Sequence, residues 1–267
     1  MYSTVSNTLL GLAIGDAYGV HFEFMSKEYI AQNFKEMPQI SLGGGPFGFL
    51  PGGFSDDTEM ALLTLSSLIH KGCVQIHHIK ELYTIWSYHA NDVGIQTKIA
   101  LQQGIIDSLG EGNGALMRIL PSVVLMHDVF KWDIAFIKKA VHAISAITHD
   151  NATIHAVNDF FIDVILSQDL SSHQQLIKAF MQTTGNSGWV MNTARIVYET
   201  VLQKEMNLLE SFWYIIQQGG DTDTACAIYG AIQGYQNPYL LERLAINSFL
   251  NQESQTKLKR LMRQTSL

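Results

Sequence analysis

The sequence predicts an all-α fold, and three observations carry that expectation. Apolar residues recur at three- and four-residue steps through most of the chain, as in Met60, Leu63, Thr64, Ser67 and Leu68, or Ile76, Ile79, Leu82, Tyr83 and Trp86. Strict alternation bounded by turn signals, the mark of a half-buried strand, does not occur. Of the 267 residues, 47% are apolar and only 15% charged, which suits a well-buried interior and excludes a disordered chain. Residues 1–267 are expected to form a single domain with a substantial core.

Residues 7–20 read as a helix, with Gly11, Ala13, Gly15, Ala17 and Gly19 small enough to let another helix or a ligand approach. Asp16, between Gly15 and Ala17, is poorly explained by a solvated surface and points to a buried role. Residues 41–54 hold six glycines and two prolines, so no regular element is expected there. This loop lacks the Lys-Ser/Thr ending of a phosphate-binding P-loop, which weakens a nucleotide-hydrolase reading. Helical periodicity resumes at Asp56 and returns at Ile134–Ile137–Ala140–Val141–Ile144, at Ile154–Val157–Phe160–Phe161–Val164, and over residues 208–216, 225–235 and 240–249. Roughly ten or more helices of ordinary length follow. Loops are expected at 91–94, 110–114 and 148–151; the glycines of the second would admit backbone N–H groups to an anion, or simply make a flexible turn. His149 reads equally as a capping histidine. Residues 252–267, with Lys257, Lys259, Arg260 and Arg263, read as a solvated helix face.

The formal net charge of −7 disfavours nucleic acid and anionic membrane as partners, since both need a basic face. The apolar stretch 9–17 is short and contains Asp16, so neither a signal peptide nor a membrane span is expected. Cys73 and Cys226 make no spacing motif and read as buried free thiols in a reducing, cytoplasmic setting.

The chemistry is concentrated in two stretches of like construction. Gly219-Gly220-Asp221-Thr222-Asp223-Thr224 and Gly52-Gly53-Phe54-Ser55-Asp56-Asp57-Thr58 each offer paired glycines, hydroxyls and two acids at the start of an apolar helix. One such stretch is also the composition of an ordinary N-cap. Two that met in space would gather four carboxylates, which cannot all stay ionised without a counter-cation. Asp, Ser and Thr oxygens without His or Cys favour Mg²⁺ or Mn²⁺ over zinc.

With these motifs in order, and with Gly11-Leu12-Ala13-Ile14-Gly15-Asp16-Ala17, Asp92-Val93-Gly94 and Thr97, Gly112-Asn113-Gly114-Ala115-Leu116-Met117-Arg118, Thr148-His149 and Gly188-Trp189-Val190 with Thr193, the chain resembles the ADP-ribosylglycohydrolase family from about residue 10 to 235. The resemblance implies a compact, single-domain orthogonal bundle of helices holding two divalent cations. It puts Ser55, Asp56, Asp57, Asp221, Asp223 and Thr224 on metal-ligand positions, Glu23 on an acid tied to catalysis and gating, and Asp92 on one that contacts the ribose. Gly94, Gly112, Asn113, Gly114 and His149 fall around the ADP part. The implied activity is metal-dependent removal of ADP-ribose from modified side chains, arginine first, with an ADP-ribosylated protein or ADP-ribose as partner. Ser-linked or O-acetyl-ADP-ribose substrates are alternatives. So is a binding or immunity protein whose partner is an ADP-ribosylating toxin. Two departures stand out: Ser55 where Thr is commoner, and Glu111 beside Gly112, where an anion would repel a bound diphosphate.

Overall fold

A computed structural model describes residues 3–242 and 244–263. In chain order its α-helices are α1 (Thr4–Gly19), α2 (Lys27–Asn33), α3 (Asp56–Lys71), α4 (Ile76–Ser87), α5 (Ile95–Gln103), α6 (Leu116–Val124), α7 (Ile134–Ser145), α8 (Ala152–Leu166), α9 (Gln174–Phe180), α10 (Val190–Leu202), α11 (Leu208–Ile216), α12 (Thr222–Gln236), α13 (Tyr239–Glu242), α14 (Ile246–Phe249) and α15 (Gln252–Met262). Among the described residues there is no strand, only isolated bridges at Gly44–Phe49 and Gly112–Trp189. No helix among them is long and apolar enough to cross a membrane.

The centre of the molecule is the antiparallel pair α1 and α12. Glycines at four-residue spacing, Gly11, Gly15 and Gly19, share one face of α1, and their spacing rather than the alternation of small residues sets the contact. A Cβ on Gly15 would stand 2.1 Å from the Cys226 carbonyl oxygen, and one on Gly11 2.1 Å from that of Gly230. Gly230 and Gly234 of α12 return the contact, onto the carbonyl oxygens of Gly11 and Asn7. The two backbones therefore touch along their length, and the last turn of α1 lies against Thr222 and Asp223 at the first turn of α12. Thr222 seals this end by donating its hydroxyl to the Gly19 carbonyl.

Apolar side chains from Val5 through Met262 form the main cluster around that pair, and Met60, Ile79, Tyr83, Leu101, Met117, Ile144 and Ile147 form a smaller one beneath α3 to α7. Two expectations need correction. The segment 240–249 is not one helix: α13 and α14 are single turns, because the chain bends there to bring α15 onto α1 and α3. Cys226 is buried, but Cys73 is partly exposed; it follows Gly72, whose left-handed φ of 66° closes α3, and so lies in a surface turn. Of the solvated face expected over 252–267, residues 264–267 lie outside the described residues, while Lys257, Lys259, Arg260 and Arg263 are exposed as expected.

Candidate active site

Both acidic stretches sit at helix starts, and their carboxylates do not cap those helices. At α3 the capping acceptor is Ser55 Oγ, 3.4 Å from the Asp57 N–H. At α12 Asp221 occupies the cap position, yet its carboxylate accepts from Asn113 Nδ2 at 2.9 Å rather than from its own helix. The acids thus face away from the backbone donors that an N-cap would satisfy. Gly220 makes the second turn possible: its φ is 75°, and a Cβ there would overlap the Asn186 carbonyl oxygen at 1.5 Å.

The two stretches meet. Thr224 donates its hydroxyl to Asp57 Oδ2 at 3.3 Å, and Ser55 donates to the same oxygen at 3.0 Å, so Asp57 Oδ1 is left buried and without a partner. Asp223 Oδ1 and Glu23 Oε2 are buried and unpartnered as well. Oxygens of Asp16, Asp57 and Asp223 lie within 4.8 Å of one another, and so do those of Glu23, Asp92 and Asp223. Asp223 belongs to both groups. Among the described residues none of these acids, nor Asp56 or Asp221, has a Lys, Arg or His partner. Buried anions without cations hold their protons: burial first, then mutual repulsion, raises Glu23 to about 9 and Asp92 to about 8. Burial also raises Asp56 to about 7, and lifts Asp57 and Asp223 well above the usual carboxylate range. Orphaned oxygens in two groups sharing one acid fit hard divalent cations.

Asp16 is the member that the acidic motifs do not contain. Fully buried, it accepts from the backbone N–H of Ser55 at 2.9 Å and of Thr58 at 3.1 Å, and so ties the start of α3 to α1. Glu23 follows a 3₁₀ turn, Val20–Phe22, that continues α1. It is held against the second acidic stretch by Phe24, whose N–H donates to the Gly220 carbonyl at 2.7 Å, and by Met25, whose carbonyl accepts from Gly220 at 2.8 Å. Phe24 takes a left-handed φ of 61° to do so.

A cleft of about 360 Å³ opens above these acids. Its walls include Glu23, Asp56, Asp92, Asp221, Asp223 and Thr224, together with Gly94, Gly112, Asn113, Gly114 and His149. Ser55 and Asp57 lie just beneath. Every site residue expected from sequence therefore converges here. Phe24, Phe47, Gln96 and Thr97 also line the cleft and were not singled out as site residues. Gln96 shapes the glycine loop by accepting from the Gly112 N–H at 3.3 Å and donating to the Gly110 carbonyl at 3.4 Å. A polar residue in the first turn of a helix gives no sequence signal for such a role.

Behind the glycine loop lies Arg118, fully buried, with its guanidinium 4.8 Å from the centre of the Tyr83 ring and bonded to the Gly114 carbonyl at 2.9 Å. It donates to Thr148 Oγ1 at 2.7 Å, and Thr148 Oγ1 is 2.7 Å from His149 Nδ1. With Arg118 donating, the buried Thr148 hydroxyl gives its proton to Nδ1 and leaves the ring proton on Nε2, which abuts Gly112 and Gly114. Burial, then the Arg118 charge, lowers the His149 pKa to about 3, so the ring is a neutral donor at the cleft wall. The Glu111 carboxylate beside this loop is engaged by neutral donors, accepting from Thr153 Oγ1 at 2.6 Å and from Trp189 Nε1 at 2.7 Å.

The chain has counterparts among known proteins. The sequence profile of the ADP-ribosylglycohydrolase family matches residues 2–162. The chain belongs to the ADP-ribosylglycohydrolase family. It is 27% identical to the putative ADP-ribosyl glycohydrolase L543 of Acanthamoeba polyphaga mimivirus, over 92% of this chain and 90% of that one. It is 29% identical to the ADP-ribosyl-[dinitrogen reductase] glycohydrolase of Rhodospirillum rubrum, over 84% and 82%. The ADP-ribosylarginine hydrolase Tri1 of Serratia proteamaculans shares 34% identity, but over only 43% of this chain and 35% of its own. A solved structure titled as an ADP-ribosylglycohydrolase-related protein complex superposes with a TM-score of 0.75 over 98% of both chains at 22% identity, which makes the fold the same. Membership in the family supports a glycohydrolase as the class of enzyme.

Proposed function

We propose that this protein is a metal-dependent hydrolase that frees ADP-ribose from modified protein side chains, arginine first. The observation that carries this reading is the pair of acid groups joined at Asp223, buried without any resident cation at the floor of a cleft walled by the glycine loop and His149. The residues that the resemblance assigns to the family's site lie together at this cleft, and relatives named as ADP-ribosylarginine hydrolases, matched over 43% of this chain, support the arginine linkage. Asp57 and Asp223, with Asp56, Asp221, Ser55 and Thr224, would hold two divalent ions, Mg²⁺ or Mn²⁺. Bound there, such ions supply charge neutralisation, grip on the ribose hydroxyls and polarisation of a water.

The remaining work falls to this chain's own groups. Glu23 Oε2, buried and unpartnered, would receive the proton of the attacking water in its ionised form, which positive charge held among these acids favours over the protonated form of the cation-free fold. The water oxygen bonds to ribose C1″ as the C1″–N bond breaks, and the guanidino nitrogen leaves with the proton that Glu23 took from the water, which returns the carboxylate to its ionised form. Asp92 contacts the ribose and steadies charge that develops on the ring. The Gly112–Gly114 backbone, Gly94, Asn113 and the His149 Nε2–H orient the diphosphate and adenosine. We also read residues 1–267 as one domain, because the main apolar cluster draws side chains from Val5 through Met262, and the setting as cytoplasmic, because both cysteines are free thiols.

The test is a panel of ADP-ribosyl-arginine, ADP-ribosyl-serine and O-acetyl-ADP-ribose, assayed with Mg²⁺ or Mn²⁺ and with excess chelator. Turnover is expected to be fastest on the arginine conjugate, to vanish with chelator, and to be lost in Asp57→Ala and Asp223→Ala together with metal binding. Undiminished turnover in chelator would overturn the reading.

A further inference from the structure

A second cavity, of about 300 Å³, backs onto the first. The two share Asp56 and Asp92 as a common wall, so those acids face a chamber on either side. The second chamber is otherwise built from the outer face of α3, the end of α4 and one residue of α15: Glu59, Trp86, His89 and Lys257 are its principal side chains. Asp92 is 8% exposed, and no hydrogen bond or ion pair reaches its carboxylate among the described residues. Asp56 turns toward the cations proposed for the first cleft, which leaves Glu59, paired with Lys257, and the unpartnered Asp92 as the acids that this chamber can offer a ligand, with His89 beside them.

Its contacts say what kind of cation fits. Glu59 Oε2 accepts from Trp86 Nε1 at 2.8 Å, which fixes an indole ring beside a carboxylate. Glu59 Oε1 lies 3.3 Å from Lys257 Nζ, and that amine is also 3.1 Å from Glu253 and 5.7 Å from the centre of the Phe54 ring. Lys257 is therefore a resident cation, paired with Glu59 and Glu253 at the end of a long stem from the exposed face of α15. Carboxylates edged by an aromatic plane favour a planar, delocalised guanidinium over a compact ammonium.

We propose that this second chamber receives the guanidinium-bearing group that is parted from ADP-ribose, that Glu59, Trp86 and Asp92 select it, and that Lys257 fills its place in the free protein. The proposal rests on the hydrolase reading above, in which bond cleavage occurs at the wall the chambers share. It explains how one cleft holds the ADP-ribose while the leaving side chain stays in contact with acid until it is released.

The first experiment needs no turnover. Agmatine, a guanidinium on a short amine-bearing chain, is titrated into Mg²⁺-loaded protein beside 1,4-diaminobutane, in which an ammonium replaces the guanidinium, while the Trp86 indole N–H resonance is followed, with Trp86→Phe to assign it; equal binding of the two would overturn the selection. A saturable shift is expected, weakened about tenfold in Glu59→Gln and strengthened in Lys257→Met. The absence of a saturable shift, or equal binding by wild type and Glu59→Gln, overturns the proposal whether or not the protein hydrolyses anything. The second experiment compares substrates. Glu59→Gln is expected to lower kcat/KM for ADP-ribosyl-arginine about tenfold while leaving O-acetyl-ADP-ribose turnover and ADP-ribose affinity unchanged. Equal loss on both substrates would also overturn it. Failure of wild type on every substrate would sink the hydrolase reading and with it the leaving-group role, while the agmatine titration would still decide whether the chamber takes a guanidinium.

Discussion

Arg118, Thr148 and His149 form a chain in which each side chain sets the next one's proton. Replacing Thr148 by Val keeps the shape but removes the hydroxyl, so a buried guanidinium N–H loses its acceptor and His149 Nδ1 its donor. Loss of a buried charged donor's partner costs about 2–3 kcal/mol. Thr148→Val is therefore expected to lower stability to denaturant by about that amount and to shift His149 from the Nε2–H to a mixed tautomer, read by its ¹⁵N resonances. Thr148→Ser, which keeps the hydroxyl, should retain the wild-type tautomer. At this scale the sequence was partly legible. Asp16 announced a buried role by interrupting an apolar helix, and the structure gives it Ser55 and Thr58 as partners. The anchoring of Glu111 was not legible, because the Trp189 and Thr153 donors that hold its carboxylate are 78 and 42 residues away in sequence.

Helix contacts explain why glycine, and not merely a small residue, stands at particular positions. Gly15→Ala would drive a methyl group to 2.1 Å from the Cys226 carbonyl oxygen, with backbone on both sides and no flexible side chain to yield. The expected loss is about 3 kcal/mol or more by chemical denaturation. Gly48→Ala makes the contrast: nothing lies within 4 Å of its added carbon, but its φ is 69°, so only the left-handed penalty of about 1–2 kcal/mol applies. A result in which both variants lose equally would mean that the α1–α12 contact is looser than described. Element by element, long periodic segments read correctly from the sequence, residues 208–216 to the residue. Residues 240–249 did not, because apolar spacing alone cannot tell one helix from two turns folded over the same core.

For the whole molecule, the acids at the cleft floor govern how stability answers to pH. Carboxylates ionise near pH 4 in the unfolded chain, whereas Asp56, Asp92 and Glu23 hold protons in the fold up to about 7, 8 and 9. The folded state binds more protons across that window, so their contribution is fully present below pH 4 and is lost as pH rises through those values. His149 acts in the opposite sense: its folded pKa of about 3 lies below the unfolded value, so its contribution is present above pH 6.5 and is lost as pH falls toward 3. Chelator-treated protein is thus expected to melt at progressively lower temperature from pH 5.5 to 8, by about 1.4 kcal/mol per pH unit for each proton held only in the fold. Millimolar Mg²⁺ or Mn²⁺ should flatten or reverse that slope, since a bound cation takes the place of those protons. Calorimetry at three pH values with and without metal checks it. The meeting of the two acidic stretches was anticipated from their like construction, but Thr224 reaching Asp57 is a tertiary fact that no local pattern contains.

The pairing of α1 with α12 also bears on synthesis at the ribosome. Gly15 emerges roughly two hundred residues before Cys226, an interval on the order of ten to forty seconds at ordinary translation rates. Throughout it the glycine seam of α1 has no partner, and a nascent chain holding only the first acidic stretch lacks Asp223, the acid common to both oxygen groups. In the proposed metal site, capture of a cation would therefore report that translation has reached α12, and ribosome-bound chains stopped before that point should remain sensitive to protease with or without Mg²⁺.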